Sequence, residues 1–270
     1  MFAKLLKYEW KATWHYIGIL CLGAVAASLM GGGAMRYLVK LSEQAEEFDG
    51  TVLEIVSVFL LMGAFLAIAA CAIGGFAVLL VRFYRGRFTD EGYLTFTLPV
   101  NTHQILLSSL VNTLLNLLLL TAVVLASGMV LLLIGISAEQ IAWEELRQAL
   151  PQIREGLAKI FTFQVMKILG TMAAAGIAGI LWEIICLMLA ITLGALAAKK
   201  HKILAAVGFF YGIQMAVGIV QTGTMLSAVV ESGESAFYRA MLWPTVMHLV
   251  LAAAGYFLMW YLTDRKLNLS

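Results

Sequence analysis

The sequence predicts an all-α integral membrane protein with six transmembrane helices. Six apolar stretches lie at Tyr16–Leu38, Val52–Val81, Ile105–Ile136, Phe161–Ala198, Ile203–Val230 and Met241–Leu262. Each exceeds the ~20 residues that cross a hydrocarbon core of about 30 Å. Of the 270 residues, 62% are hydrophobic and 13% charged, against about 25% charged in soluble domains. Basic residues gather at every second gap between the stretches, the bias expected of a multi-pass chain.

That bias sets an orientation. Lys4, Lys7, Lys11, Arg82, Arg85, Arg87, Lys199, Lys200, Lys202, Arg265 and Lys266 fall on one side. Glu43, Glu46, Glu47, Asp49, Glu139, Glu144, Glu145, Glu231 and Glu234 fall on the other. Both termini are therefore expected in the cytoplasm of a plasma-membrane protein, with an even number of spans. The net charge of +2 is divided among loops and forms no pooled patch for nucleic acid. Residues 1–270 read as a single membrane domain with no soluble module.

Residues 1–13 form a basic amphipathic segment. Phe2, Leu5, Leu6 and Trp10 share one helical face and Lys4, Lys7 and Lys11 the other, the pattern of a helix lying in the membrane interface. Ala24-Val25-Ala26 resembles a signal-peptidase site, but the apolar run continues to Met35 and the first span is expected to stay. Gly31-Gly32-Gly33 is expected to loosen or end that span. The 40–50 connection is short, acidic and external.

Span two carries Gly63, Ala67, Cys71 and Gly75 at steps of four, a packing stripe. Span three opens with Pro99 and Asn101 ahead of it and Thr102 as its expected N-cap. Gln104, Ser108, Asn112 and Asn116 follow at steps of four, and a shorter polar set, Gln214, Gln221 and Thr222, lies on span five. Two readings stay open for these: hydrogen bonds between helices, or the polar lining of a translocation path or subunit interface.

The external connection at 137–160 repeats Trp143, Leu146, Leu150, Ile153, Leu157 and Ile160 at helical spacing. It is expected to form a helical pair, with Pro151 in the first turn of the second member. Span four has small pairs at Gly170/Ala174 and Gly194/Ala198. It also holds Glu183, the one carboxylate deep in a span, with Lys167 about 24 Å away along the same helix. A carboxylate in the membrane must be protonated, paired or hydrated, so Glu183 is both a candidate functional residue and a candidate interhelical pair. Cys21, Cys71 and Cys186 lie within spans and are expected as free, buried thiols with no disulfide frame.

Chemistry of other kinds is not signalled. There is no G-x-x-x-x-G-K-[ST] run to cradle a nucleotide phosphate. His15, His103, His201 and His248 stand apart from one another, without ligand spacing for a metal. No nucleophile–base set suggests an enzyme. The chemistry-bearing stretch is the inner connection at 82–102, which mixes Arg82, Arg85 and Arg87 with Phe88, Asp90, Glu91, Tyr93 and Phe96. A turn needs only a few residues, and aromatics with arginine are typical interface anchors.

Two patches carry a family resemblance. Lys4-Leu5-Leu6-Lys7-Tyr8-Glu9-Trp10-Lys11-Ala12-Thr13 and Asp90-Glu91-Gly92-Tyr93-Leu94-Thr95-Phe96-Thr97-Leu98-Pro99-Val100 resemble the permease subunits of bacterial ATP-binding-cassette exporters of the type-2 permease kind. The resemblance implies a dimer of permeases, whose second copy is identical or a paralogue, with separate ATPase subunits that bind ATP and Mg. It implies that the first helix is the interfacial elbow and that the 82–102 stretch is a short cytoplasmic coupling element. Arg85, Arg87, Phe88, Asp90, Glu91, Tyr93 and Phe96 would then contact the ATPase. Two other readings remain: an ion-coupled secondary transporter using Glu183, and a non-transporting membrane scaffold or sensor.

Overall fold

A chain in hydrocarbon must satisfy its backbone N–H and C=O groups internally, which leaves long helices as the solution for apolar runs of this length. A computed structural model describes residues 2–43, 52–97, 99–136, 147–152, 154–155, 162–198, 200–230 and 234–265, and all regular structure among them is helical. The helices are α1 (Phe2–Glu43), α2 (Val52–Phe88), α3 (Asp90–Phe96), α4 (Thr102–Ile136), α5 (Phe163–Ala197), α6 (Lys202–Val230) and α7 (Glu234–Arg265). Six are long and apolar enough to cross a membrane, over Phe2–Leu41, Val52–Phe88, Thr102–Gly135, Val165–Ala197, Lys202–Gly223 and Ala240–Arg265. The chain is a multi-pass, all-α membrane protein.

The first helix departs from expectation in two ways. The amphipathic segment and span one are a single helix of 42 residues, about 63 Å long. Lys4, Lys7 and Lys11 are exposed on it, while Phe2, Leu5, Leu6 and Trp10 are half-buried. The faces segregate as the sequence suggests, but no break separates interface from span. Nor does Gly31-Gly32-Gly33 end the helix. A Cβ at Gly31 would collide with Ala64, and one at Gly32 would stand 2.9 Å from the Ile134 Cβ. These glycines let α1 close upon α2 and α4, so their role is close approach and not termination.

The chain packs as two compact units. One comprises Lys7–Leu79 and Asn112–Ala158. Its core cluster is Ala64, Ile68 and Leu131, packed with Ala27, Met35, Leu61 and Val124. Of the stripe on α2, Gly75 is buried against Leu120, whereas Gly63 is exposed with nothing within 4 Å of a Cβ built there. The stripe is thus used at one end only. Within the 137–160 connection the described residues 147–152 and 154–155 are helical, and Pro151 lies inside the first stretch. The rest of the expected helical pair lies outside the described residues.

The other unit comprises Met1–Leu6, Leu80–Val111 and Lys159–Ser270. Here α5 packs against both α6 and α7, which touch one another far less. A Cβ at Gly194 would fall on the backbone of Ala206, so bare backbone lets α5 and α6 meet at that end. Gly170 and Ala174, expected to do the same, are exposed. Within α7, Pro244 has no N–H to offer the carbonyl one turn back. One residue on, the Thr245 hydroxyl donates to the Met241 carbonyl at 2.7 Å.

Candidate functional site

The connection between α2 and α4 is built as a braced elbow. α2 runs to Phe88, and Thr89 takes an extended conformation between it and α3. The Thr89 hydroxyl donates back to the Arg85 carbonyl at 2.6 Å, and its own carbonyl accepts from the Gly92 amide at 2.8 Å. One residue thus closes α2 and opens α3. Gly92 is required there, because a Cβ would fall on the Arg87 carbonyl. The Tyr93 carbonyl accepts the Thr97 amide at 3.2 Å, closing α3 after seven residues.

Arg87 is the internal strut of this elbow. It is fully buried, the largest such side chain among the described residues. Its Nη2 donates to the Ile105 carbonyl at 3.0 Å, and its guanidinium lies 4.6 Å from the Phe83 ring centroid. Phe88 is also buried, edge-on to Phe83 at 6.2 Å. Two residues that the sequence assigns to a partner surface are therefore interior. A helix-end aromatic and an arginine in a polar connection look alike in sequence whether they face in or out, and here packing turns them inward.

The outward face of α3 is different. Tyr93 and Leu94 are 62% and 69% exposed, and Phe96 is half-buried. Arg85 is exposed. Glu91 accepts from Arg82 at 3.0 Å in a partly exposed pair, worth well under about 1 kcal/mol in water. Asp90 opens α3, but its side chain lies outside what is described. Leu94 shares this exposed face with Tyr93 although the sequence reading did not single it out.

The far side of the elbow is fastened to α7. Asn101, and not Thr102, caps α4: its carbonyl accepts the amides of Gln104 at 2.8 Å and Ile105 at 3.3 Å. Thr102 instead donates its hydroxyl to Asp264 Oδ1 at 2.8 Å. His103 Nδ1 lies 2.7 Å from the Tyr256 hydroxyl, with Trp260 beside the imidazole at 6.0 Å. These partners are separated by about 150 residues of sequence, and no local pattern announces them.

The polar residues within the spans divide among several partners. Ser108 is buried and donates to the Ile105 carbonyl at 2.9 Å, the same oxygen that Arg87 holds. Asn116 donates to the Asn112 side chain at 2.9 Å and carbonyl at 2.8 Å, and to Thr13 at 3.4 Å. Asn112, Asn116 and Thr13 are all buried, and Gln104 is half-buried. Of the four-residue stripe, the last three are thus packed inside the chain.

On α6, Gln214 Nε2 donates to both Glu183 oxygens, at 2.6 and 2.7 Å. Gln221 Nε2 lies 2.7 Å from His248 Nε2 on α7. Glu183 is exposed on this chain's surface in the middle of α5, and an amide supports a carboxylate there without neutralising it. Cys21, Cys71 and Cys186 are free. Among the described residues no three His, Cys, Asp or Glu side chains are placed to hold a metal ion. No family model, curated protein or solved structure matches this chain.

Proposed function

We propose that the chain is the membrane-spanning subunit of an ATP-driven exporter in the plasma membrane, paired with a second permease and two ATPase subunits. The observation that favours this reading is the α2–α3–α4 elbow. It presents Tyr93 and Leu94 outward while Arg87, Thr102 and His103 tie it to α4 and α7. A connection serving only as a turn needs neither an exposed aromatic–leucine pair nor an internal arginine. A partner pressing on α3 would move α4 and α7 with it, which is the mechanical requirement for coupling hydrolysis to a path between helices. ATP and Mg would reside on the partner.

Isolation from its native membrane tests the reading. The chain should retain an ATPase subunit, identified by mass spectrometry through its phosphate-binding loop, and ATP hydrolysis should depend on this chain. Isolation with no such subunit under several mild detergents defeats the proposal. Topology is checked separately by single-cysteine labelling in a cysteine-free background. Glu47→Cys and Ser232→Cys should label from outside, and Thr97→Cys only after permeabilisation. The reverse pattern inverts the orientation.

A second reading is favoured by one observation, the exposed Glu183 held by Gln214. In an ion-coupled secondary transporter that carboxylate would carry the coupling proton or cation. Under the exporter reading, Glu183→Gln keeps an acceptor for Gln214 and should hold ATP-driven transport within about fivefold in vesicles without an ion gradient, since exchanging a charge-assisted hydrogen bond for a neutral one costs about 1 kcal/mol. Loss of all transport, with gradient dependence in the parent, would establish the second reading instead.

A further inference from the structure

The short connection from α5 to α6 is basic, and two cavities meet beneath it. One is an apolar cleft of about 350 Å³ between the end of α2, α5 and the start of α6, with Leu80, Ile191 and Phe210 among its walls. The other, of about 620 Å³, is walled by Lys200, His201 and Lys202. They adjoin, with Tyr84, Lys202, Ile203 and Val207 lining both. Lys200 and His201 are exposed at the mouth and Lys202 is half-buried between the two.

We propose that this composite cavity is a binding site for an anionic phospholipid, with an acyl chain in the apolar cleft and the phosphate against Lys200, His201 and Lys202. The argument rests on complementarity. An apolar cleft at the end of membrane-spanning helices is filled by hydrocarbon in preference to water. A cluster of cationic side chains at the membrane–water boundary attracts anionic head groups, and basic pockets between helices select them. A phospholipid joins both chemistries in one molecule, in the order in which the two cavities join. Lysines that merely flank a span need no cleft beside them, and ordinary boundary lipid needs no basic mouth. The proposal uses no ATPase partner, so it stands or falls apart from the transport reading.

The test uses the purified full chain in nanodiscs or mixed micelles containing phosphatidylglycerol, or phosphatidylcholine with the same acyl chains. Native mass spectrometry reads the lipid retained, and thermal shift reads protection. The parent should retain the anionic lipid about twenty-fivefold over the zwitterionic one, about fivefold for each of the two lysines. Lys200→Ala with Lys202→Ala should lower apparent affinity for phosphatidylglycerol about fivefold for each lysine and leave phosphatidylcholine unchanged. Val207→Trp, which fills the shared passage, should weaken both lipids. Phosphatidylglycerol with a photoactivatable acyl chain should crosslink within 80–84 or 187–211 of the parent. Equal retention of the two lipids by the parent, or an unshifted affinity in the lysine variant, overturns the proposal. Protection by inorganic phosphate equal to that by lipid, or crosslinks confined elsewhere, does so too. Should a variant fail to fold, the parent's selectivity and crosslink positions decide.

Discussion

Arg87→Ala is expected to destabilise the isolated chain on the order of 3 kcal/mol, the range for breaking a buried, charge-assisted contact. The side chain is fully buried, holds the Ile105 carbonyl at 3.0 Å and covers the Phe83 ring. Its removal takes a donor from that carbonyl and leaves a void where α2 turns into α3. Arg87→Lys should restore little, because a point-charge ammonium cannot both lie flat on the ring and reach the carbonyl. Arg85→Ala, at an exposed position about half a turn away, should change stability by less than about 0.5 kcal/mol. The measurement is thermal or denaturant unfolding of the purified chain in detergent, with no partner present. Equal stability of the Arg87 and Arg85 variants would return Arg87 to the partner surface.

Replacing Tyr93 and Leu94 together by alanine should have the largest effect on assembly and nearly none on the chain itself. An anchoring aromatic at an interface centre is typically worth about 2 kcal/mol or more, and a neighbouring leucine less. The double variant should therefore bind an ATPase subunit at least about thirtyfold more weakly, and hydrolysis should lose its dependence on the permease. Both side chains are mostly exposed, so unfolding of the chain alone should be unchanged. Glu91 and Arg85, exposed and charged, belong to a rim and should alter mainly the salt dependence of binding. Phe88→Ala should behave oppositely to Tyr93→Ala. It weakens the chain by about 3 kcal/mol, as a buried aromatic lost from a core does, with any loss of partner following from that. Undiminished partner retention by the Tyr93/Leu94 variant would detach α3 from coupling.

The 82–102 connection shows where legibility stopped. Its length and its mixture of arginine with aromatics marked it as more than a turn, and the structure does place a helix there. The sequence did not distinguish Arg87 from Arg85, because two residues along a helix reverse the facing of a side chain and the contact that decides it lies 18 residues away at Ile105; nor did it distinguish Phe88 from Tyr93, which the break at Thr89 places on different helices. Thr102 failed in a similar manner. Its type and position suited an N-cap, yet Asp264 is 162 residues distant in sequence and takes the hydroxyl. Gln214 and Glu183 were each singled out as polar residues in hydrocarbon. That they meet is a matter of how α5 and α6 align, which neither stripe specifies.

The sequence by itself determined that the chain crosses a membrane, roughly where, and how many times. Apolar length against bilayer thickness is a one-dimensional quantity, and the hydrocarbon leaves a long apolar run no alternative to helix. Tertiary structure alone decided which small residues carry helix contacts, which polar residues are partners and which aromatics face out. Gly31 and Gly63 are both glycines in apolar spans, but only Gly31 meets another helix, at Ala64. In hydrocarbon both faces of a helix are apolar, so the amphipathic signal that orients a soluble helix is missing. Facing is then settled by the fit between helices distant in sequence.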